Sequence, residues 1–173
     1  VNNGIELGNA PYGFAAAESV LNAEPEVDFV LGSIHNASEK LEYKDYYFVD
    51  YTDTDICYEY LDDYFIQLEK LVEWGNFDSL AHVPYPLRDM MQRDGMDVDM
   101  ARYQSSIDSM LRTLIRRGQA IEINAGKKPY IMPEYAYLLD RYRALGGRLI
   151  TVGPDAHSIP QFGMGLKEAY MLA

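Results

Sequence analysis

The sequence predicts an α/β fold built on a parallel sheet. Five short apolar runs of strand character alternate regularly with amphipathic helical segments. Connections of a dozen or more residues between successive runs leave room for right-handed crossovers. A further observation concerns polar residues: the chain has only three histidines, and each of them, His35, His82 and His157, closes one of the apolar runs. In parallel α/β folds functional residues gather at the carboxyl ends of strands. Five such units make an incomplete barrel or an open sheet.

The first strand is the short Gly4-Ile5-Glu6-Leu7-Gly8, and residues from Gly13 to Ala23, rich in Ala, Glu and Leu, read as a helix stopped by Pro25. Val27 to Ile34 is near-continuously apolar, the pattern of a strand covered on both faces, and it ends in Gly32-Ser33-Ile34-His35. From Asn36 to Asp53 the chain turns polar and aromatic, with Tyr43, Tyr46, Tyr47, Phe48 and Tyr51 in close succession. This stretch reads as a long loop over the mouth of a site, or as aromatics packed on the body of the fold.

Asp55 is placed to cap a helix running to Glu73, with Leu61, Phe65, Leu68 and Val72 as its buried stripe and Gly75 as its end. Phe77 to Val83 supplies the third strand, containing His82, and Pro84 and Pro86 forbid its continuation. Met90 to Asp99 reads as a polar connection. The helix from Met100 to Arg117 turns Tyr103, Ile107, Met110, Leu111 and Leu114 inward, and Arg116, Arg117 and Gly118 mark its C-terminus. Ala120 to Asn124 is the fourth strand, followed by the loop Ala125-Gly126-Lys127-Lys128-Pro129. A helix beginning at Pro133 carries Tyr135, Leu138, Tyr142 and Leu145. Arg148 to Val152 is the fifth strand, leading into Gly153-Pro154-Asp155-Ala156-His157, and a final helix starts near Gln161. The opening in mid-strand and the close after barely two helical turns lead to the expectation of a single domain, 1–173, cut at both ends.

At 173 residues the chain suits one domain with a sizeable core. No apolar run approaches the length needed to span a membrane. A solitary Cys57 rules out an internal disulfide and fits a reducing cytosol. The net charge of −12 argues against unaided binding to nucleic acid or to an anionic membrane surface. It leaves an anionic substrate open, provided bound cations supply the positive field.

Imidazoles and carboxylates at strand ends form a ligand set for zinc, manganese or iron. Glu6, His35, His82, Asp155 and His157 are the candidate ligands, and Asp155 and His157, one residue apart, point the same way on extended backbone. A catalytic triad fits worse, because neither Ser33 nor Ser158 sits on a Gly-x-Ser-x-Gly elbow. Glu122 and Asn124 share one side of their strand. They are candidates for substrate contact or for a role behind the ligands, or are simply polar groups satisfying neighbouring backbone. Lys127 and Lys128 are candidate phosphate contacts, or a solvated charge pair.

Gly4-Ile5-Glu6, Gly32-Ser33-Ile34-His35, Ala81-His82, Glu122-Ile123-Asn124 and Asp155-Ala156-His157, in this order, resemble the polymerase-and-histidinol-phosphatase (PHP) superfamily, in its histidinol-phosphatase branch. The resemblance implies a distorted seven-unit (β/α) barrel, of which this chain would hold the last five units. It implies a cluster of two or three divalent metal ions (zinc, manganese or iron). Glu6 would match the bridging carboxylate, His35 and His82 two metal-binding histidines, and Asp155 and His157 the final ligand pair. Asp155 and His157 would thereby support a metal-bound hydroxide that attacks phosphorus. The substrate would be a small phosphorylated molecule, histidinol phosphate in histidine biosynthesis or else another phosphomonoester or nucleotide. Two departures stand out: no histidine precedes His35, where the family's first strand carries His-x-His, and Pro154 replaces a usual serine. The chain alone could therefore bind metal without catalysis. Apolar surface left exposed where further strands belong would favour self-association into a homo-oligomer.

Overall fold

The strands sort most of their residues by polarity, one face of the sheet apolar and the other, apart from Phe29 and Leu31, small or polar. The computed structural model describes residues 3–23, 27–126 and 133–173. Its five strands are β1 (Gly4–Gly8), β2 (Phe29–Ser33), β3 (Ser79–Leu80), β4 (Ala120–Asn124) and β5 (Ile150–Gly153). They pair in sequential order, all parallel. A right-handed crossover between every neighbouring pair keeps the helices on one side, as in a barrel; a doubly wound sheet would reverse its order part-way. The sheet is an open arc of a barrel.

The register defines the faces. Glu6 pairs with Leu31, Leu31 with Ser79, Ser79 with Ala120, and Glu122 with Thr151. Alternation then puts Glu6, Ser33, Ser79, Glu122, Asn124 and Thr151 on one face. A hydrogen bond of 2.8 Å between the Ser79 and Thr151 hydroxyls, across the intervening strand, confirms that both point the same way. The opposite face carries Leu7, Val30, Leu80, Ile121, Ile123 and Val152, which pack into the core beneath the helices. Gly32 lies on this outer face because a Cβ there would come within 2.8 Å of the Phe77 ring.

Those helices are α1 (Phe14–Ala23), α2 (Thr54–Trp74), α4 (Gln104–Arg117), α5 (Pro133–Ala144) and α6 (Leu166–Leu172), with a short α3 (Tyr85–Leu87) running into a π-helical stretch, Arg88–Arg93. The anticipated apolar stripes are buried: Leu61, Phe65, Leu68 and Val72 on α2, Ile107, Met110, Leu111 and Leu114 on α4, and Tyr135, Leu138 and Tyr142 on α5. Tyr103 stacks on Phe65 at 4.3 Å between ring centroids.

Several boundaries differ from the sequence expectation. The cap of α2 is Asp53, whose carboxylate accepts from the Ile56 N–H at 2.9 Å; Asp55 sits inside the first turn. Only Ser79 and Leu80 of the 77–83 stretch pair as a strand, because His82 takes a left-handed turn at φ 23° and Pro84 follows. Met90 belongs to the π-helical stretch rather than to an irregular connection, and residues 100–103 form a 3₁₀ turn ahead of α4. Strand β2 is only half-buried at Phe29, Val30 and Leu31, not covered on both faces. The stop placed at Pro25 lies outside the described residues, as does the loop 127–132. Arg117 also does more than complement a helix dipole. Its guanidinium donates to the carbonyls of Val72 and Glu73, closing the C-terminus of α2 beside Gly75.

The 36–53 segment holds two 3₁₀ turns, Glu39–Leu41 and Tyr46–Phe48, and one antiparallel bridge between Asn36 and Asp45. Tyr46 and Tyr51 go into the core, whereas Tyr43, Tyr47 and Phe48 stay exposed. Asp63 on α2, 7% exposed, anchors the segment. It accepts from the Ser38 amide (2.8 Å), the Ser38 hydroxyl (2.5 Å) and the Tyr46 hydroxyl (3.4 Å).

Candidate metal centre

Glu6 projects from the middle of β1 onto the polar face, while His35 and His82 lie two residues beyond β2 and β3. The three meet. The Glu6 Oε1 atom lies 3.1 Å from Nε2 of His35 and 3.1 Å from Nε2 of His82, and the two imidazole nitrogens are 3.2 Å apart. Three lone-pair-bearing atoms converging in this way need a proton or a cation among them. Ligands about 2.0–2.2 Å from one tetrahedral zinc ion lie roughly 3.3–3.5 Å from one another, so the triangle fits a small divalent cation. Among the described residues, Glu6, His35 and His82 are the one group whose donor atoms all lie within 4.8 Å of each other.

The backbones of both histidines are held from behind, while Nδ1 of His82 is buried without a partner among the described residues. The Asn9 side-chain carbonyl accepts from the His35 amide at 2.8 Å and from the Asn36 amide at 3.1 Å. The His82 amide, at a backbone conformation costing on the order of 1–3 kcal/mol, donates to Glu122 Oε2 at 3.0 Å. Glu122 is 4% exposed. Its carboxylate therefore faces the backbone of His82 instead of the cavity. Gly153 leaves the room it needs, since a Cβ there would come within 2.8 Å of Glu122 Oε1.

The electrostatics follow from these contacts. Burial works to raise the Glu6 carboxyl, but hydrogen bonds to His35 and His82 and the charge of His82 hold it far below the usual carboxylate range. Burial works to lower the His82 imidazole, but the hydrogen bond to Glu6 and the charges of Glu122, Glu6 and Asp155 outweigh it, and its pKa is raised. Burial raises the Glu122 carboxyl despite the opposing charge and amide of His82.

Glu6 and His35 line a cavity of about 700 Å³, and His82, in contact with both, is buried. Asp155 and His157 line the same cavity but stand apart from the triad as a pair of their own, Oδ1 to Nε2 at 3.1 Å. Asp155 takes φ 48° just past β5. The His157 amide donates to Gln161 Oε1 at 2.8 Å, and its ring is 63% exposed. Asn124 also lines the cavity, its side-chain carbonyl accepting from the Gly126 amide at 2.8 Å. Lys127 and Lys128 lie outside the described residues.

Several cavity residues, Tyr85, Arg88, Asp89 and Asp45 among them, went unnoticed in the sequence. Tyr85 packs its ring against both imidazoles, 5.3 Å from His35 and 5.1 Å from His82. The Arg88 guanidinium lies over that ring at 4.9 Å and pairs with Asp89 at 3.1 Å. Asp45 lines the cavity from the aromatic segment. The available signal was the Pro84-Tyr85-Pro86-Leu87-Arg88 run one residue after His82: a chain that cannot continue a strand must turn away from it beside the site it has just left.

A family model, the PHP domain, matches residues 1–126. The chain belongs to the PHP domain family. Among curated relatives, this PHP chain is 29% identical over 185 residues to a probable histidinol-phosphatase of Clostridium acetobutylicum, and 28% identical over 144 residues to one of Thermotoga maritima. A histidinol-phosphatase of Lactococcus lactis matches at 26% over 148 residues. These matches take in 98%, 82% and 84% of this chain but 66%, 53% and 54% of the relatives' own lengths. The crystal structure of the Lactococcus lactis histidinol phosphate phosphatase, complexed with zinc, L-histidinol and phosphate, superposes with a TM-score of 0.74 at 22% identity. The superposition covers 97% of this chain and 63% of that one. It establishes the same fold, an arc of the PHP barrel. No described helix is long and apolar enough to cross a membrane.

Proposed function

We propose that this PHP domain binds divalent metal and hydrolyses a phosphomonoester, histidinol phosphate, to the alcohol and inorganic phosphate. The observation that carries the reading is the Glu6–His35–His82 triangle, two members of which, Glu6 and His35, line a cavity together with Arg88. Glu6, His35 and His82 would hold one ion, and Asp155 with His157 would help to hold a further one in a cluster of two or three. Zinc, manganese or iron bound there supplies Lewis-acid charge neutralisation and lowers the pKa of water.

The protein's own groups do the positioning. Asn9 and Glu122 fix the backbones of His35 and His82, so the two rings reach Glu6 without searching. Arg88 stays charged beside Asp89 and presents a planar fork of donors suited to phosphate oxygens. Its own ion pair keeps that fork oriented. Tyr85 screens the imidazoles with an apolar ring face, and its hydroxyl is pushed up to about 12 by burial and by the charge of Asp45. It therefore remains a neutral donor in the cavity.

The names of the Clostridium, Thermotoga and Lactococcus relatives support histidinol phosphate as the substrate. The test is release of inorganic phosphate from L-histidinol phosphate by the chain loaded with zinc, manganese or iron. Metal-dependent release that disappears in His82→Ala supports the reading; no release with any of the three metals sinks it for this chain.

A further inference from the structure

Tyr47 and Phe48 are 50% and 67% exposed, yet the backbone that carries them is held from two sides. Arg93 donates to the Tyr47 and Val49 carbonyls while its charge is balanced by Asp94 at 2.6 Å. The Tyr46 amide donates to the His35 carbonyl at 3.0 Å, and the Tyr51 hydroxyl donates to the Tyr46 carbonyl at 3.1 Å. Exposed aromatic rings on a segment so firmly tied are presented rather than stranded. Both line the cavity, edge to face at 5.1 Å, and so offer two ring surfaces at right angles.

The charges of the cavity wall add a second, independent observation. Four carboxylates line it: Glu6, Asp45, Asp89 and Asp155. Three have nitrogen partners, namely the imidazoles of His35 and His82 for Glu6, Arg88 for Asp89 and His157 for Asp155. Asp45 has none within 4.0 Å among the described residues. Its Oδ1 accepts from the Tyr47 amide at 2.8 Å, which fixes the carboxylate beside the two rings. Tyr85 touches both imidazoles and feels the charge of Asp45, so it adjoins both the metal centre and the Asp45 side of the cavity.

We propose that Asp45, Tyr47 and Phe48 form the subsite that selects the alcohol half of the substrate, taking a flat or compact cation. The rings supply cation–π attraction and apolar contact, and Asp45 supplies the counter-charge that no other cavity group leaves free. A neutral alcohol receives only the contact, and an anionic one is repelled. The inference rests on the phosphomonoesterase reading for its substrate, but it is tested without turnover.

The experiment is calorimetric titration of L-histidinol, which carries no phosphate, into the zinc-loaded chain and into Asp45→Asn. Asparagine keeps the acceptor for the Tyr47 amide and removes only the charge. The expected result is a Kd about tenfold weaker in Asp45→Asn, the effect of losing one partly exposed charge-assisted contact. Phe48→Ala, an exposed site where folding is not at stake, is expected to weaken binding several-fold. Equal affinity in the parent and Asp45→Asn, or no binding by the parent, overturns the subsite. For turnover, the ratio of kcat/KM on histidinol phosphate to that on p-nitrophenyl phosphate is expected to fall about tenfold in Asp45→Asn; an unchanged ratio counts against selection by charge. If histidinol binds as described but no phosphomonoester is hydrolysed, the subsite stands and the proposed function fails.

Discussion

Replacing Glu122 with alanine removes the acceptor that holds the His82 amide in its left-handed turn. A buried N–H losing a charged acceptor costs about 1.5–3 kcal/mol, and the truncated side chain leaves a void beside Gly153. Part of that loss is offset, because the carboxylate is itself costly to bury, as its raised pKa records. A net destabilisation of about 2 kcal/mol corresponds to a fall in Tm of roughly 4–8 °C for a chain of this size. The larger consequence is local. With no partner at its amide, His82 has no reason to keep a strained φ, and its ring leaves the triangle. Zinc affinity is therefore expected to fall between about 10-fold and 100-fold. Glu122→Gln, which retains an acceptor, should fall well short of that. The assay is competitive zinc titration of both variants beside thermal unfolding of the metal-free proteins. Zinc binding in Glu122→Ala as tight as in the parent would refute the view that this residue acts through His82.

Asp63→Ala orphans the Ser38 amide and weakens the hold on Tyr46; about 3 kcal/mol, or roughly 6–12 °C in Tm, is the expected loss by scanning calorimetry. Metal-free protein is expected to be most stable between about pH 4.5 and 6.5. His82, raised when folded, contributes fully below the 6.5 of a free imidazole and loses its contribution as pH climbs through the raised value. Glu6, depressed when folded, contributes fully above 4.5 and loses its contribution as pH falls toward its depressed value. Zinc takes the place of the proton on His82, so zinc affinity should strengthen with rising pH and binding should release protons into a weakly buffered solution. His157→Ala is expected to spare the tightest zinc ion and to abolish a weaker one, whereas His82→Ala removes the tightest; stoichiometry by metal analysis separates the two.

Much of the architecture could be read from periodicity and punctuation. The stripes Leu61-Phe65-Leu68 and Ile107-Leu111-Leu114, with Gly75 and Gly118 after them, determine where α2 and α4 lie and end. Alternation along Ala120 to Asn124 anticipates Glu122 and Asn124 on the polar face. The histidines were legible because an imidazole closing an apolar run is rare by chance in a chain with only three. What escaped was set by tertiary geometry. His82 ends its strand at φ 23°, a turn that no local residue preference announces, and so an expected seven-residue run pairs over only two residues. Glu122 looked able to face a substrate, but only the approach of the His82 backbone reveals its direction. Arg88 became a cavity residue because α3 folds back over the site, whereas Asp155 and His157, plausible members of the same ligand set, stand together at a distance from the triad.

Under the proposed function, Glu6, His35 and His82 hold one divalent ion. X-ray absorption at the zinc edge, on the chain loaded with one equivalent of zinc, tests it directly. The expected spectrum has two imidazole nitrogens at about 2.0–2.1 Å and carboxylate oxygen at about 2.0–2.2 Å, with the imidazole signal lost or halved in His82→Ala. Zinc that washes off during desalting, or a spectrum of oxygen ligands alone that His82→Ala leaves unchanged, would contradict it.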